Sequence, residues 1–320
     1  MSRRFEYSEG TSNKFWEVSV DGKQLVVRFG RIGSAGQTKL KSFPDAASAK
    51  LAMAKLIGEK TREGYVEGAA KPAAAKPRSR KDELAALDAK LDTTLQPYVR
   101  IEAKPRAKLS LTQSKGCDGR PYLPKADPWP KVKSGRALLP VMQIDFADVP
   151  ALPGFPRKGL LSLWWTEDHQ EHALFYYPTI VRDDAKLWSD FSRVPTGGFL
   201  YPYMKPVALS FAKHDGCVCW GDFRFAQLVG GKAALDALHD SEHYDALFDH
   251  VWKRSGGADT RIGGWSNPQQ EDPRVAKKLA AYTAQLLQIQ NDNFTHNLFI
   301  KPADLKRADF SDVKFYDACD

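Results

Sequence analysis

Long apolar runs, cysteines and nucleotide-cofactor signatures are all scarce in this chain of 320 residues. No stretch approaches the roughly 20 consecutive apolar residues of a membrane-spanning helix, so no membrane partner is expected. The N-terminal "MSRRFEYSEG" carries two arginines with no apolar core behind them, which does not fit a secretory signal. Four cysteines, Cys117, Cys217, Cys219 and Cys319, are too few and too scattered for a disulfide framework. A reducing, cytoplasmic setting is the expectation. The metalloprotease pattern H-E-x-x-H and the nucleophile elbow G-x-S-x-G are missing, and "HQEH" at His169 to His172 has the wrong spacing.

What the chain does have is positive charge, unevenly spread. The net charge is +8. Residues 1–68 hold 12 Lys/Arg against 8 Asp/Glu, and residues 69–108 hold 10 against 5. The remainder is close to balanced, at 25 against 26. All the excess lies in the first third, which points to an acidic partner there, nucleic acid first among candidates. Plain solubility accounts for the same charge.

The first third reads as strands followed by a helix. "KFWEVSV" alternates, Asp21-Gly22 is a hairpin signal, and "KQLVVRFG" returns as its partner. "QTKLKSF" alternates again, with Leu40 on one face and Lys39 and Lys41 on the other. A helix follows, with Asp45 as N-cap, Gly64 as its stop, and Ala49, Met53, Leu56 and Ile57 on one face. This predicts a small antiparallel sheet with one helix over 1–68. "AAKPAAAKPRSRK", residues 69–81, has no apolar periodicity and is expected to be a basic linker, serving as a tether or as a phosphate-binding tail.

Between the predicted strands lies "RFGRIGSAGQTKLKSF", with Gly30, Gly33 and Gly36 three apart. A dinucleotide fold needs G-x-G-x-x-G before a helix, and a P-loop needs Gly-Lys-Ser/Thr at a helix start. Neither is present, so no nucleotide cofactor is expected. The string, with "GTSNKFWEVSV" before it and "KSFPDAASAKLAMAKLIGEKTREGYVE" after it, closely resembles the WGR domain over residues 3–67. Phe29-Gly30-Arg31 stands where that family's Trp-Gly-Arg run would be. The family occurs in poly(ADP-ribose) polymerases, where it binds DNA at a break, and in bacterial regulator-like proteins. The resemblance implies that Phe29 stacks on a terminal nucleotide, that Arg31 holds a phosphate, and that Asn13 and Lys14 lie near the DNA backbone. Gly30, Lys39 and Lys41 complete the expected DNA-binding set. Arginine presents a planar fork of donors that suits phosphate oxygens. Phe29 departs from the family's tryptophan; it is either the stacking ring or a core residue under the helix. For Arg31 the plain alternative is a surface salt bridge.

Residues 82–320 turn strand-rich. "DELAALDAKLDTTLQPY" puts Leu84, Leu87, Leu91 and Leu95 on one helical stripe. Apolar strands follow at "RALLPVMQIDF", "KGLLSLWWT", "HALFYYP", "LSFA" and "HNLFIKP". Helical stretches are predicted within "GKAALDALHDSEHYDALFDHVWK" and "PRVAKKLAAYTAQLLQIQ", with Asp236, His239 and His243 sharing a helix face. "VMQIDF" and "LLQIQND" echo each other, although so short a match does not establish a duplicated half. "GRPYLPKADPWPK", "PVMQIDFADVPALPGFPRKGLLSLWW", "RIGGWSNPQQEDPR" and the C-terminal "LFIKPADLKRADFSDVKFYDAC" resemble the YwqG-like family, a bacterial domain of unknown function. That resemblance implies a compact α+β domain and no particular activity; "NFTHN" at 293–297 departs from the family's usual turn.

Candidate chemistry in this part is thin. His214, Cys217 and Cys219 fall short of a zinc site, and no metal, cofactor or catalytic residue is expected. Arg261, Trp265, Gln269, Gln270 and Asp272 in "RIGGWSNPQQEDPR" could line a ligand pocket or simply shape a turn. The sequence therefore predicts an α+β, two-domain, DNA-associated binding protein. The alternatives are an adaptor whose WGR-like module, or C-terminal domain, binds a protein or peptide and, ranked last, a hydrolase or transferase, which would need a pocket with paired titratable groups.

Overall fold

The computed structural model describes residues 2–9, 12–68, 79–117, 120–168, 170–192, 206–257, 259–268, 270–290 and 294–319. Most of the basic segment (69–78), Gln269 and the start of "NFTHN" lie outside the described residues. The chain forms two compact units, Met1–Leu84 with Asp236–Tyr244, and Ala85–Leu235 with Asp245–Asp320. The architecture is α+β.

In the first unit, strands β1 (Arg3–Glu9), β2 (Ser12–Asp21), β3 (Gln24–Arg31), β4 (Gln37–Ser42) and β5 (Val66–Gly68) make an antiparallel sheet in the order β4-β3-β2-β1-β5. The Asp21-Gly22 turn joins β2 to β3, with Gly22 at φ 57°. Helix α1 (Ala46–Arg62) starts where the Asp45 side chain accepts the Ser48 N–H at 2.7 Å. It ends where Gly64 takes φ 90° and the Tyr65 N–H reaches the Lys60 carbonyl at 3.0 Å, the hydrogen bond that closes a helix through a left-handed glycine. Period-2 alternation puts Phe5, Trp16 and Phe29 side by side across three strands. They cluster with Val18, Leu25 and the Met53, Leu56 and Ile57 face of α1. Burying each large apolar side chain contributes about 1.5–3 kcal/mol.

The second unit is a ten-stranded sheet in the order β10-β9-β8-β7-β11-β6-β12-β13-β14-β15. The strands are β6 (Gln96–Pro105), β7 (Lys115–Gly116), β8 (Leu139–Asp145), β9 (Leu160–Trp165), β10 (His172–Tyr177), β11 (Val207–Gly216), β12 (Arg261–Gly263), β13 (Ala284–Gln290), β14 (Phe294–Ile300) and β15 (Lys314–Cys319). The sheet curls into a near-barrel around Val99, Val141, Ile144, Leu163, Leu286 and Ile289. Its edge strands meet through side chains: the His172 ring stacks on Phe315 at 4.6 Å, and Asp317 lies 3.4 Å from His172 Nε2 and 2.6 Å from His296 Nδ1. Burial alone would push the Asp317 carboxyl up, but the adjacent His172 and His296 imidazoles hold it well below the usual carboxylate range.

The short "QI" echo lies within an arrangement of registers and hydrogen bonds that occurs twice in the sheet. Strand registers align Lys115–Gln143–Ser162–Phe175 across β7 to β10, and Arg261–Gln288–Asn297–Tyr316 across β12 to β15. Each row runs buried cation, buried glutamine, small polar residue, aromatic. The Gln143 amide donates to the carbonyls of Leu111 and Gln113, and its oxygen accepts the Tyr122 N–H. Gln288 donates to Asp259 and, at 3.5 Å, to Gly257, and its oxygen accepts the Asn267 N–H. Relative to the cation, the accepting carbonyls occupy the same positions in both halves. Two residues past each glutamine, the N–H of Asp145 or Gln290 bonds the hydroxyl of Ser114 or Thr260. The first strands are exchanged: β7 pairs with β11, and β12 pairs with β6.

The helices are α2 (Arg80–Leu91), α3 (Phe225–Leu228), α4 (Lys232–His239), α5 (Tyr244–Ser255) and α6 (Pro302–Lys306). Two expectations are corrected here. His239 and His243 do not share a helix face, because the chain breaks between α4 and α5, where the Ser241 hydroxyl accepts the His243 N–H. Pro273–Leu279 forms two short 3-10 turns instead of an α-helix. There the Arg274 side chain is drawn inward onto Asp222 and Asp272.

Candidate nucleic-acid interface

The glycine string is a packing device. Phe15 is buried, and alternation along β2 puts it on the sheet face opposite α1. Arg4 lies 4.4 Å and Arg28 5.2 Å from its ring centroid, and Glu17 accepts from both, at 3.2 and 3.1 Å. The loop 31–36 closes the remaining side. Gly36, at φ 70°, comes so close that a Cβ there would sit 2.5 Å from Phe15 Cζ. A Cβ on Gly30 would meet the Gly36 Cα at 2.8 Å. Gly33, at φ 101°, makes the turn in open space. Arg28 Nε fastens the loop to the Ala35 carbonyl at 2.6 Å, and the Ile32 N–H bonds the Asn13 carbonyl at 3.1 Å.

This loop and the strand ends set out the expected DNA-binding residues. Lys14 and Arg31 are directly opposite each other in the β2–β3 register, and both are exposed. Alternation puts them on the same face as Phe29. Phe29 is half-buried against the core cluster, with Lys39 Nζ 5.3 Å from its ring centroid. Lys41 Nζ lies over Phe43 at 5.5 Å. Register puts Lys39 opposite Val27 and Lys41 opposite Leu25, on the α1 side, while Leu40 points the other way at 65% exposure. Asn13 is exposed beside Lys14. The sheet's other arginines are occupied: Arg3 by Glu67, Arg4 by Glu6 and Glu17, and Arg28 by Glu17. No ion pair involves Lys14, Arg31, Lys39 or Lys41 among the described residues.

The C-terminal candidates separate. Arg261 is fully buried and donates to the carbonyls of Ser255 and Gly256, at 2.5 and 3.2 Å. Trp265 is buried, its indole donating to the Thr94 carbonyl at 2.6 Å. Asp272 is buried against Arg274. Of the described members of the set, Gln270 lines a cavity of about 630 Å³, together with Trp220, Phe248 and Trp252. Sequence reasoning missed this aromatic wall; its signal was Phe248 and Trp252 four residues apart on one helix. Cys217 and Cys219 are buried, and Cys219 Sγ donates to Asn267 Oδ1 at 2.8 Å. Burial pushes the Cys217 thiol up to about 11 and the Cys117 thiol to about 12, so neither is a ready thiolate. Among the described residues no group of three or more His, Cys, Asp or Glu side chains is arranged to hold a metal, and no helix is long and apolar enough to cross a membrane.

Similarity to known proteins follows the same division. Protein YehF of Escherichia coli (strain K12) is 46% identical over 67 residues, which is 21% of this chain and 24% of that protein. The uncharacterized protein YfeS of the same organism is 37% identical over 67 residues, or 21% of this chain and 28% of that one. The chain thus spans about a quarter of the length of the curated relatives it matches. A crystal structure of a Bacteroides fragilis protein is 38% identical, covering 27% of this chain and 26% of that one, with a TM-score of 0.21. The WGR domain matches residues 1–72, and the family described as Domain of unknown function (DUF1963) matches residues 115–319. With well over half its length in that second match, the chain belongs to the DUF1963 family, the YwqG-like family, and carries a WGR domain in front of it.

Proposed function

We propose that the WGR unit binds DNA through its phosphates, with little sequence preference and with ends favoured, and so tethers the DUF1963 domain to DNA. One observation carries the reading: the sheet's cations divide into two sets. Arg3, Arg4 and Arg28 are neutralised by glutamates of the same unit. Lys14, Arg31 and Lys39 are left around the half-buried Phe29 ring. In this reading Arg31 holds a phosphate and Phe29 supports a terminal base or sugar by its accessible part. Asn13, Lys14 and the Gly30 backbone line the approach, and Lys39 and Lys41 extend the positive edge.

Three phosphate contacts predict a log–log salt slope of about −3. A band-shift series with blunt, nicked and 5′-phosphorylated duplexes across salt concentrations tests this. Arg31→Ala is expected to weaken binding to all of them and to reduce the slope by about 1. Equal binding by wild type and Arg31→Ala at every salt concentration refutes the assignment of Arg31. No binding to any duplex at low salt refutes the DNA reading and leaves the protein-binding adaptor in its place.

A further inference from the structure

The stretch "ADPWPK", residues 126–131, lies between strands of the DUF1963 unit and carries two prolines. Proline fixes its own φ and pushes the residue before it into extended backbone, so Pro128 and Pro130 stiffen a rod that bears Asp127, Trp129 and Lys131. The rod is fastened at several points. The Trp129 indole donates to the Leu138 carbonyl at 2.9 Å, and the Trp188 indole donates to the Asp127 carbonyl at 3.1 Å. The Trp188 N–H bonds the Leu123 carbonyl at 2.9 Å. Strand β10, at the end of the sheet, supplies the rest of the wall. Alternation puts Phe175 and Tyr177 on one of its faces, while Leu174 and Tyr176 pack against the core. A cavity of about 920 Å³ is bordered by Asp127, Trp129, Lys131, Phe175, Tyr177 and Trp188, a volume in the range of small-ligand sites.

The rings meet at steep angles. Trp164, fully buried, backs the wall: it meets Trp129 at 82° and Phe175 at 90°, with centroids 5.2 and 6.2 Å away. Trp188 stands at 67° to Trp129, 6.0 Å away. Trp129, Phe175, Tyr177 and Trp188 are each half-buried, so each keeps accessible surface. Rings set this way make corners, where a base or sugar needs a flat platform to stack on. Both indole N–H groups are spent on main-chain carbonyls, so the tryptophans offer the cavity only their apolar, π-electron surface. One charge is left among them. The Asp127 carboxylate has no hydrogen bond or ion pair among the described residues, and the Tyr177 hydroxyl has no hydrogen bond. Burial, and then the nearby Asp127 charge, push that hydroxyl's titration up. Lys131 is exposed at the rim; among the described residues it pairs with no carboxylate and lies over no ring, so it does not neutralise Asp127. Aromatic walls beside an unpaired carboxylate attract a cation. An ammonium whose charge is spread over methyl groups satisfies the carboxylate and the rings together.

We propose that this cavity binds a quaternary or N-methylated ammonium group, with its methyl groups against Trp129, Trp188 and Phe175 and its charge toward Asp127. A free small molecule such as choline and a trimethylated lysine side chain both supply that chemistry. The site is separate from the DNA contacts proposed for the WGR unit and does not depend on them.

Calorimetry and proton NMR titration of the full chain with choline test this. Choline is expected to bind, and its N-methyl resonance to move upfield, as protons held against ring faces do. The neutral tert-butyl analogue of choline has the shape without the charge, and ethanolamine has the charge without the methyl groups. Each is expected to bind at least about tenfold more weakly. Asp127→Asn removes the charge, and Phe175→Leu removes a ring while keeping apolar bulk; each is expected to weaken choline by about three- to tenfold. Should Phe175→Leu fail to fold, Asp127→Asn keeps the test, because it alters a carboxylate that bonds nothing in the protein. A peptide bearing trimethyllysine that binds more tightly than choline assigns the site to a protein side chain; one that binds more weakly assigns it to free small molecules. Absence of binding by both choline and the peptide at about 10 mM, equal affinity for choline and its neutral analogue, or unchanged affinity in either folded variant overturns the proposal.

Discussion

Replacing Gly36 with alanine separates two reasons for the glycine string. The backbone at Gly36 is left-handed, at φ 70°, and a residue with a Cβ pays about 1–2 kcal/mol to adopt it. The new methyl would also sit 2.5 Å from Phe15 Cζ and 2.8 Å from the Phe29 carbonyl oxygen. Neither neighbour gives way easily. Phe15 is clamped beneath Arg4 and Arg28, and the Phe29 oxygen belongs to the ladder of β3. Overpacking of this kind adds about 1–3 kcal/mol, for a total of roughly 2–5 kcal/mol. Gly33 is the control. It too is left-handed, at φ 101°, but a Cβ there meets nothing within 4 Å. Gly33→Ala should therefore cost only the backbone part, about 1–2 kcal/mol. Hydrogen exchange read by mass spectrometry on peptides spanning β2 to β4, in the full chain, reports the stability of this unit separately from the other. Equal losses in the two variants would refute the claim that Gly36 is required for its approach to Phe15.

Glu17 neutralises the buried Arg4 as well as Arg28. Glu17→Gln should destabilise the WGR unit by about 1.5–3 kcal/mol in the same exchange experiment, and a loss below about 0.5 kcal/mol, the level of a surface substitution, contradicts this. In the DUF1963 unit, Gln143→Leu and Gln288→Leu each strand two loop carbonyls and one N–H, at about 1–3 kcal/mol per group. Urea melts should show comparable, severe losses for the two, and a mild effect of either breaks the equivalence of the halves. Asp317→Asn should be less stable than wild type near neutral pH. Because the folded carboxyl titrates below its unfolded value of about 3.9, that advantage is full above this pH and disappears as the pH falls through the lower folded value. A wild-type advantage that persists unchanged into strong acid contradicts this role for Asp317.

Local features were legible in the sequence because local chemistry decides them. The Asp21-Gly22 turn, the Asp45 cap, the Gly64 stop and the alternation of Lys39, Leu40 and Lys41 each depend on residues within a few positions. The clamp on Phe15 was not legible, since it joins Arg4, Glu17, Arg28 and Gly36 from four separate segments. The repeated arrangement was barely legible for a different reason. Its equivalences run through main-chain groups such as the carbonyls of Leu111 and Asp259, which any residue supplies. The side chains that take part differ, Lys115 against Arg261 and Ser162 against Asn297. In "RIGGWSNPQQEDPR", polar residues suggested a pocket, yet Arg261 and Asp272 are consumed in satisfying the interior. The cavity wall came instead from Trp220, Phe248 and Trp252, whose rings are brought together by the fold.

The exchange of first strands has a consequence for how such a domain can be divided. The strand β7 is continued by β11 from the other half, and β12 by β6. A chain carrying either half alone would keep its glutamine and loop but end its sheet on an open edge. Two copies of one half would close each other by trading those strands. Cutting the chain between β10 and β11 should therefore give fragments that reassemble when co-expressed, as two interlocked pieces of one sheet.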